Sequence, residues 1–133
     1  MTPVFADTYY FAALSNLKDR AHGRAVAYAS GATCPLVTTS WVITELADGM
    51  CKVGTRGTFD KLLGLIRSDA QSTVIAADQS LMDRGLQLYT ARPDKEWSLT
   101  DCISFVVMQE NDLTEALTAD HHFEQAGFVA LLK

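Results

Sequence analysis

The chain has no apolar stretch approaching the roughly 20 residues that cross a bilayer as a helix, so a membrane-spanning reading has no support. Cysteine is scarce and unpatterned. Cys34, Cys51 and Cys102 form no C-x-x-C pair, and an odd count does not build a disulfide framework. Cys51 and Cys102 lie among apolar neighbours and are expected as buried free thiols. No basic segment precedes the short apolar run near the start, and Asp7 interrupts that run, which is unlike a secretory leader. These absences point to a cytoplasmic protein in a reducing compartment. A basic excess is missing too: 11 Lys and Arg stand against 16 Asp and Glu, for a net charge of −5. Domains whose main work is neutralising phosphates are usually basic. Nucleic acid stays open as a substrate, because a metal-loaded acidic site carries a strong local positive field. Low-complexity tracts are absent as well, and 133 residues at 48% hydrophobic suffice for a core, so one domain over 1–133 is expected.

What is present is an alternation of short β-like runs with longer helical ones. Strand candidates are "PVFA", "LVTT", "STVIAA", "EALTA" and "FVALL", with "STVIAA" the richest in β-branched residues. Between them, "TYYFAALS" and "KDRAHGRAVAYAS" read as one or two helices, followed by a break at "GATCP". "SWVITELADGMCK" places Val42, Leu46 and Met50 on one helical face, and "TFDKLLGLIRSD" is amphipathic. "DQSLMDRGLQLYTAR" predicts a stripe of Leu81, Met82, Leu86 and Tyr89, and "SLTDCISFVVMQEN" a helix buried on most sides. "HHFEQAG" reads as one short helical turn. Alternating β and α units imply a parallel sheet covered by helices on both faces. Ligands of such sheets bind beyond the carboxyl ends of the strands, near the switch in strand order. Asp7 and Asp120 each follow an apolar strand at that end.

Every one of the notable acids has an ordinary explanation. Asp7 and Asp120 stand where a helix cap would stand, and Glu45 in "WVITELADG" reads as a solvated helix residue. Ser98 and Asp101 in "SLTD" match a capping box. Taken together they read differently. Glu45 adjoins an apolar stripe, and Asp101 opens a mostly buried helix, so two strand ends and two helices can aim four carboxylates at one cleft. Two like charges 4 Å apart repel by about 1 kcal/mol in water and about 4 kcal/mol at an effective dielectric of 20. A cap contributes only about 0.5–2 kcal/mol. Such a cluster needs protons or a cation, and oxygen-only donors suit Mg²⁺ or Mn²⁺ rather than Zn²⁺.

Asp7 after a first strand, Glu45 in "TELADG", Asp101 in "SLTDCISFVVM" and Asp120 in "LTADHHFEQAGF" resemble, in order and spacing, the four acidic motifs of the PIN-domain family. Within that family the chain is most similar to VapC-like toxins of bacterial toxin–antitoxin pairs. "LTAD-x-x-F-x-x-AGF" and "SLTD-x-x-S" are the more specific pieces. The resemblance covers essentially the whole chain. It implies an α/β/α three-layer sandwich around a five-stranded parallel sheet. It also implies a Mg²⁺- or Mn²⁺-dependent endoribonuclease acting on single-stranded RNA, with Asp7, Glu45, Asp101 and Asp120 as catalytic and metal-binding residues. A small antitoxin protein and a homodimer are implied as partners. Thr8, Ser104 and Thr118 are candidate hydroxyls for supporting the acids or positioning water. Tyr9 departs from the small or polar residue the family often has after "DT".

Lys52, Arg56 and Lys61 around the "GTRG" turn, and Arg92 and Lys95 at the polar break, are candidates for holding substrate phosphates. His121 and His122 are adjacent, so on a regular helix they diverge by about 100° and are poorly placed to share one ion. His22 stands alone in a polar helix. Among other folds, a haloacid-dehalogenase site wants D-x-D after the first strand, where Tyr9 replaces the second acid. A receiver domain wants a Lys near the end of its fifth strand, where only the terminal Lys133 is available. A PIN-like module that binds RNA or protein without cutting is the alternative, although all four acids are in place.

Overall fold

The computed structural model describes residues 2–31 and 34–133. Parallel strands β1 (Val4–Ala6), β2 (Leu36–Thr39), β3 (Thr73–Ile75), β4 (Glu115–Leu117) and β5 (Val129–Ala130) form one sheet in the order β3-β2-β1-β4-β5. Helices α1 (Thr8–Ser15), α2 (His22–Gly31), α3 (Ser40–Gly49), α4 (Arg56–Ser68), α5 (Gln79–Ala91), α6 (Leu99–Glu110) and α7 (His121–Gln125) cover its two faces, making the expected α/β/α arrangement. The order reverses at β1, whose neighbours are β2 on one side and β4 on the other. Crossovers therefore leave in opposite directions there, and the crevice beyond the carboxyl ends of β1 and β4 is where a ligand site belongs.

Local chemistry fixes where the helices begin. Thr39 accepts from the Val42 N–H at 3.1 Å, and Asp78 accepts from the Leu81 N–H at 2.7 Å. Ser98 and Asp101 exchange the two bonds of a full capping box, so α6 starts where the sequence motif places it. From Cys102 to Met108 every residue of α6 is buried, since α6 packs against α5, α3 and α7. Phe105 stacks edge-on against Phe123 of α7 at 4.9 Å and against Trp97 at 5.0 Å, and Phe5 of β1 lies 6.3 Å from Phe123. Such aromatic pairs add about 0.5–1.5 kcal/mol beyond their buried area. The Trp97 indole N–H is satisfied by Gln125 Oε1 at 3.0 Å. The loop before α6 is thereby tied to the end of α7.

Several local expectations change in three dimensions. The break at "GATCP" falls partly on residues 32 and 33, which lie outside the described residues. "STVIAA" shrinks to an edge strand with Thr73 and Val74 exposed, because β-branching marks strand propensity and not centrality. On α5, Leu86 and Tyr89 face outward, and the buried line runs through Leu81 and Gly85. Gly85 permits this by letting the α5 backbone sit on Ile103 of α6, where an added Cβ would collide with the isoleucine side chain. Cys51 is exposed beyond the end of α3, whereas Cys102 is buried as expected. No helix of the described residues is long and apolar enough to cross a membrane.

The α5–α6 contact gives a direct test of that packing. Gly85→Ala gains up to about 1 kcal/mol of helix propensity in isolation. It should nonetheless destabilise the protein by about 1–3 kcal/mol, the usual cost of overpacking a tight contact. Urea unfolding of the two proteins checks the sign; a more stable alanine variant would show that the helices have room to separate.

Candidate functional site

The four expected acids meet at the carboxyl ends of β1 and β4. They line one open cleft of about 390 Å³ together with Thr8, Tyr9, Ala12, Glu96, Ser98 and His122. Asp7 follows β1, Glu45 projects from α3, Asp101 sits in the first turn of α6, and Asp120 precedes α7. Charges separated by more than a hundred residues in the chain thus converge through the strand order alone.

Asp7 is the innermost, with 6% of its surface exposed. It occupies the cap position of α1 without making a side-chain cap bond, so capping does not account for its burial. Its Oδ2 instead accepts from the Thr118 hydroxyl at 2.9 Å. Loss of water drives its pKa up to about 7, with Asp101 and Glu45 adding repulsion and the Thr118 bond opposing. Thr118 also accepts the Asp120 N–H at 3.0 Å, so one hydroxyl orders the acids after both central strands. Asp101 is raised chiefly by burial and by Asp120, while the Ser98 N–H and His122 hold it down. Its Oδ2 accepts from the Ser98 N–H at 3.1 Å and lies 3.2 Å from His122 Nδ1. Asp120 Oδ1 accepts from the His122 N–H at 2.9 Å. Asp101 and Asp120 are therefore helix caps and members of the cleft at once. Glu45 is on the exposed side and completes the ring of charge.

Of the three expected hydroxyls, Thr118 has the role just described. Thr8 lines the cleft, and its Oγ1 is buried with no hydrogen-bond partner among the described residues. Ser104 is turned back on its own helix, donating to the Thr100 carbonyl at 2.9 Å, and does not line the cleft. The expected phosphate contacts are not in the cleft either. Lys52, Arg56 and Lys61 lie on the exposed α3–α4 turn and the start of α4, with Arg56 Nε donating to the Cys51 carbonyl at 2.7 Å. Arg92 pairs with Asp94 at 3.0 Å and stacks 5.2 Å over Trp97. With Lys95 it lines a neighbouring cavity of about 630 Å³ that shares Glu96 and Ser98 with the acid cleft. His22 caps the packing of α1 on α2, its Nδ1 lying 2.7 Å from the Ala13 carbonyl.

Two members of the site escape sequence reasoning. Glu96 arrives from the polar break by the anchoring of Trp97, which no periodicity signals. His122 was expected to diverge from His121, yet the two rings lie 4.4 Å apart and both approach Asp120. The short α7 starts at residue 121, so both rings belong to its first turn, where side chains fold back toward the cap. The only available signal was Asp-His-His immediately after a strand.

A hard divalent cation suits this donor set. Four carboxylates converge, one is buried without the hydrogen bond its position would normally supply, and Thr8 brings an unpartnered hydroxyl to the same cleft. In the absence of such an ion, Asp7 sets the sign of the pH dependence. The folded protein holds a proton on Asp7 that the unfolded chain has already lost. Stability is greatest below the unfolded value of 3.8, declines as pH rises toward about 7, and levels off above it. One proton corresponds to about 1.4 kcal/mol per pH unit within that window, and Asp101, raised in the same direction, adds to the decline. In EDTA, Asp7→Asn should flatten the slope and melt higher than the parent at pH 8. Melting curves across the window check this; an unchanged slope would mean that Asp7 is not held in its neutral form.

No family model matches the chain. It is 27% identical over 129 residues to the 23S rRNA-specific endonuclease VapC20 of Mycobacterium tuberculosis, in two strains, with 95% of each chain covered. The crystal structure of M. tuberculosis VapC20, described as a sarcin–ricin loop cleaving toxin, superposes with a TM-score of 0.85 at 24% identity, over 95% of this chain and 96% of that one. VapBC2 from Rickettsia felis, bound to a DNA fragment from their promoter, gives a TM-score of 0.68 at 14% identity, covering 96% of each chain. FitAcB from Neisseria gonorrhoeae gives 0.67 at 15%, over 96% of this chain and 94% of that one. The five-stranded parallel sheet with four acids at its switch point thus goes with a similarity to VapC20 over 95% of the chain, and the chain shares its fold with these VapC and FitAcB structures.

Proposed function

We propose that the chain is a metal-dependent endoribonuclease, the toxin of a toxin–antitoxin pair, acting in the cytoplasm as one domain over 1–133. The observation that carries this reading is the convergence of Asp7, Glu45, Asp101 and Asp120 on one cleft, with Asp7 buried and its pKa pushed up to about 7 by its surroundings. Perturbed acids in a cleft mark functional sites more often than structural ones. The name of the VapC20 relative supports large-subunit ribosomal RNA as the substrate class. The likeness to VapBC2 and FitAcB supports a small antitoxin protein as a partner, and we propose a second copy of the chain as another.

Asp7, Glu45, Asp101 and Asp120 would hold Mg²⁺ or Mn²⁺. Such an ion, when bound, supplies Lewis-acid polarisation of the scissile phosphate and activates water for attack. The chain's own residues prepare the cleft. Thr118 fixes the orientation of Asp7, and the Ser98 and His122 N–H groups fix those of Asp101 and Asp120, so these three carboxylates need no reordering as the substrate arrives. His122, 3.2 Å from Asp101 Oδ2, places an imidazole at the rim of the cleft. The neighbouring cavity, with Arg92 and Lys95 on its wall, continues from the cleft and offers positive charge to an RNA strand leaving the acids.

Purified protein with Mg²⁺ or Mn²⁺ should cut ribosomal RNA, and EDTA should stop it. Asp7→Asn should lower the rate by at least about 100-fold, the scale of removing a group that stabilises transition-state charge, while remaining folded. Cleavage that persists unchanged in EDTA or in the Asn variant would overturn the mechanism. Tight RNA binding without turnover, over a range of ribosomal fragments, would favour the non-cutting module.

A further inference from the structure

The donor atoms at the start of α7 do not match a hard oxygen site alone. Asp120 Oδ1 lies 3.4 Å from His122 Nδ1 and 3.6 Å from His121 Nδ1, and His122 Nδ1 lies 3.2 Å from Asp101 Oδ2. Ligand atoms from Asp120, His121 and His122 all fall within 4.8 Å of one another. Zinc binds imidazole nitrogen and carboxylate oxygen at about 2.0–2.2 Å in a tetrahedron, whose edges are then about 3.3–3.6 Å. The two separations within this set, 3.4 Å and 3.6 Å, sit close to that edge. Mg²⁺ has little use for imidazole, whereas zinc and its borderline-soft neighbours favour it. His121 is 65% exposed along its side chain, so an ion can enter from solvent without opening the fold.

We propose that Asp120, His121 and His122 form a second cation site selective for Zn²⁺-class ions, and that its occupancy inhibits the nuclease by withdrawing Asp120 from the oxygen-only site. The binding half stands on the donor geometry alone. The inhibitory half rests on the hydrolase reading. His122 bridges the two sets, since its ring faces both Asp101 and Asp120. His121 belongs only to the second, as it does not line the acid cleft. That asymmetry provides the test.

Zn²⁺ is titrated into the full chain against a chromogenic chelator at pH 7, and Co²⁺ serves as a spectroscopic stand-in. The parent should take up one Zn²⁺ per chain, His121→Asn should bind at least tenfold more weakly, and Cys51→Ser, which removes the exposed thiol, should bind like the parent. The Co²⁺ spectrum should be tetrahedral and lack a thiolate charge-transfer band. Equal affinity in His121→Asn, loss of binding in Cys51→Ser, or a thiolate band would overturn the site. In the second arm, Zn²⁺ is added to Mg²⁺-supported RNA cleavage. Cleavage by the parent should fall at Zn²⁺ levels that saturate the site, while His121→Asn keeps its basal rate and needs at least tenfold more Zn²⁺ for the same loss. Full activity of zinc-saturated parent would overturn the inhibition. Absence of cleavage by both proteins would refute the hydrolase reading instead, and the titration would still decide the site.

Discussion

The burial of one carboxylate, Asp7, is the constraint around which the rest of the site is arranged. It sits at the end of the middle strand of the sheet, with β2 and β4 on either side, where water is excluded and an ionised acid is costly. The Thr118 hydroxyl answers that cost in part, and in doing so joins two points 111 residues apart. Because the same oxygen accepts the Asp120 N–H, the register of β1 against β4 fixes the positions of both acids. A one-residue slip would turn Thr118 to the other face and leave Asp7 without a donor. The paired strands and the charged cleft are thus a single device. Its incomplete satisfaction shows in the Asp7 pKa, pushed up to about 7 by burial.

The other two walls depend on apolar packing held at a distance from the charge. Phe5, Phe105 and Phe123 join β1, α6 and α7 in one aromatic chain, which Trp97 extends to the loop before α6. Trp97 sets where Ser98 stands, Ser98 caps α6, and the cap orients Asp101. Gly85 lets α5 close over the outer side of the same helix. Side chains that never touch the cleft therefore determine its width. Interiors packed to crystal-like density transmit such placement with little slack.

How far the site was legible follows from which residues carry local signals. Asp7 and Asp120 were visible because an acid directly after an apolar strand is conspicuous, and the α/β alternation says where strand ends meet. Asp101 was visible through its capping box, although that motif taken by itself argued for an ordinary role. Choosing between cap and ligand was a false alternative there. The structure shows Asp101 and Asp120 making capping bonds while lining the cleft, and shows Asp7, the most cap-like by position, making no cap bond. His122, Glu96 and the outward turn of Tyr89 were hidden, since each depends on a helix start or a loop anchor formed by residues distant in sequence. Cys51 misled because apolar neighbours in sequence do not ensure burial just past a helix end.

That a capping acid can also serve a ligand has a simple basis. A carboxylate has two oxygens and about four lone-pair directions. Ser98 N–H uses one direction on Asp101, and His122 N–H uses one on Asp120, which leaves acceptor capacity on both for the cleft. The backbone donors also lock the side-chain torsions, so the entropy of ordering these acids is lost on folding and not when an ion arrives. A cap contributes only about 0.5–2 kcal/mol, which is comparable with the repulsion between neighbouring charges at a partly solvated site. Capping therefore offsets part of the strain of assembling the cluster in the protein without metal. It keeps Asp101 and Asp120 aimed at the cleft, while Asp7, which makes no cap bond, is the acid whose pKa burial pushes up to about 7. The division of labour among the acids is set by where each chain segment ends its helix or strand.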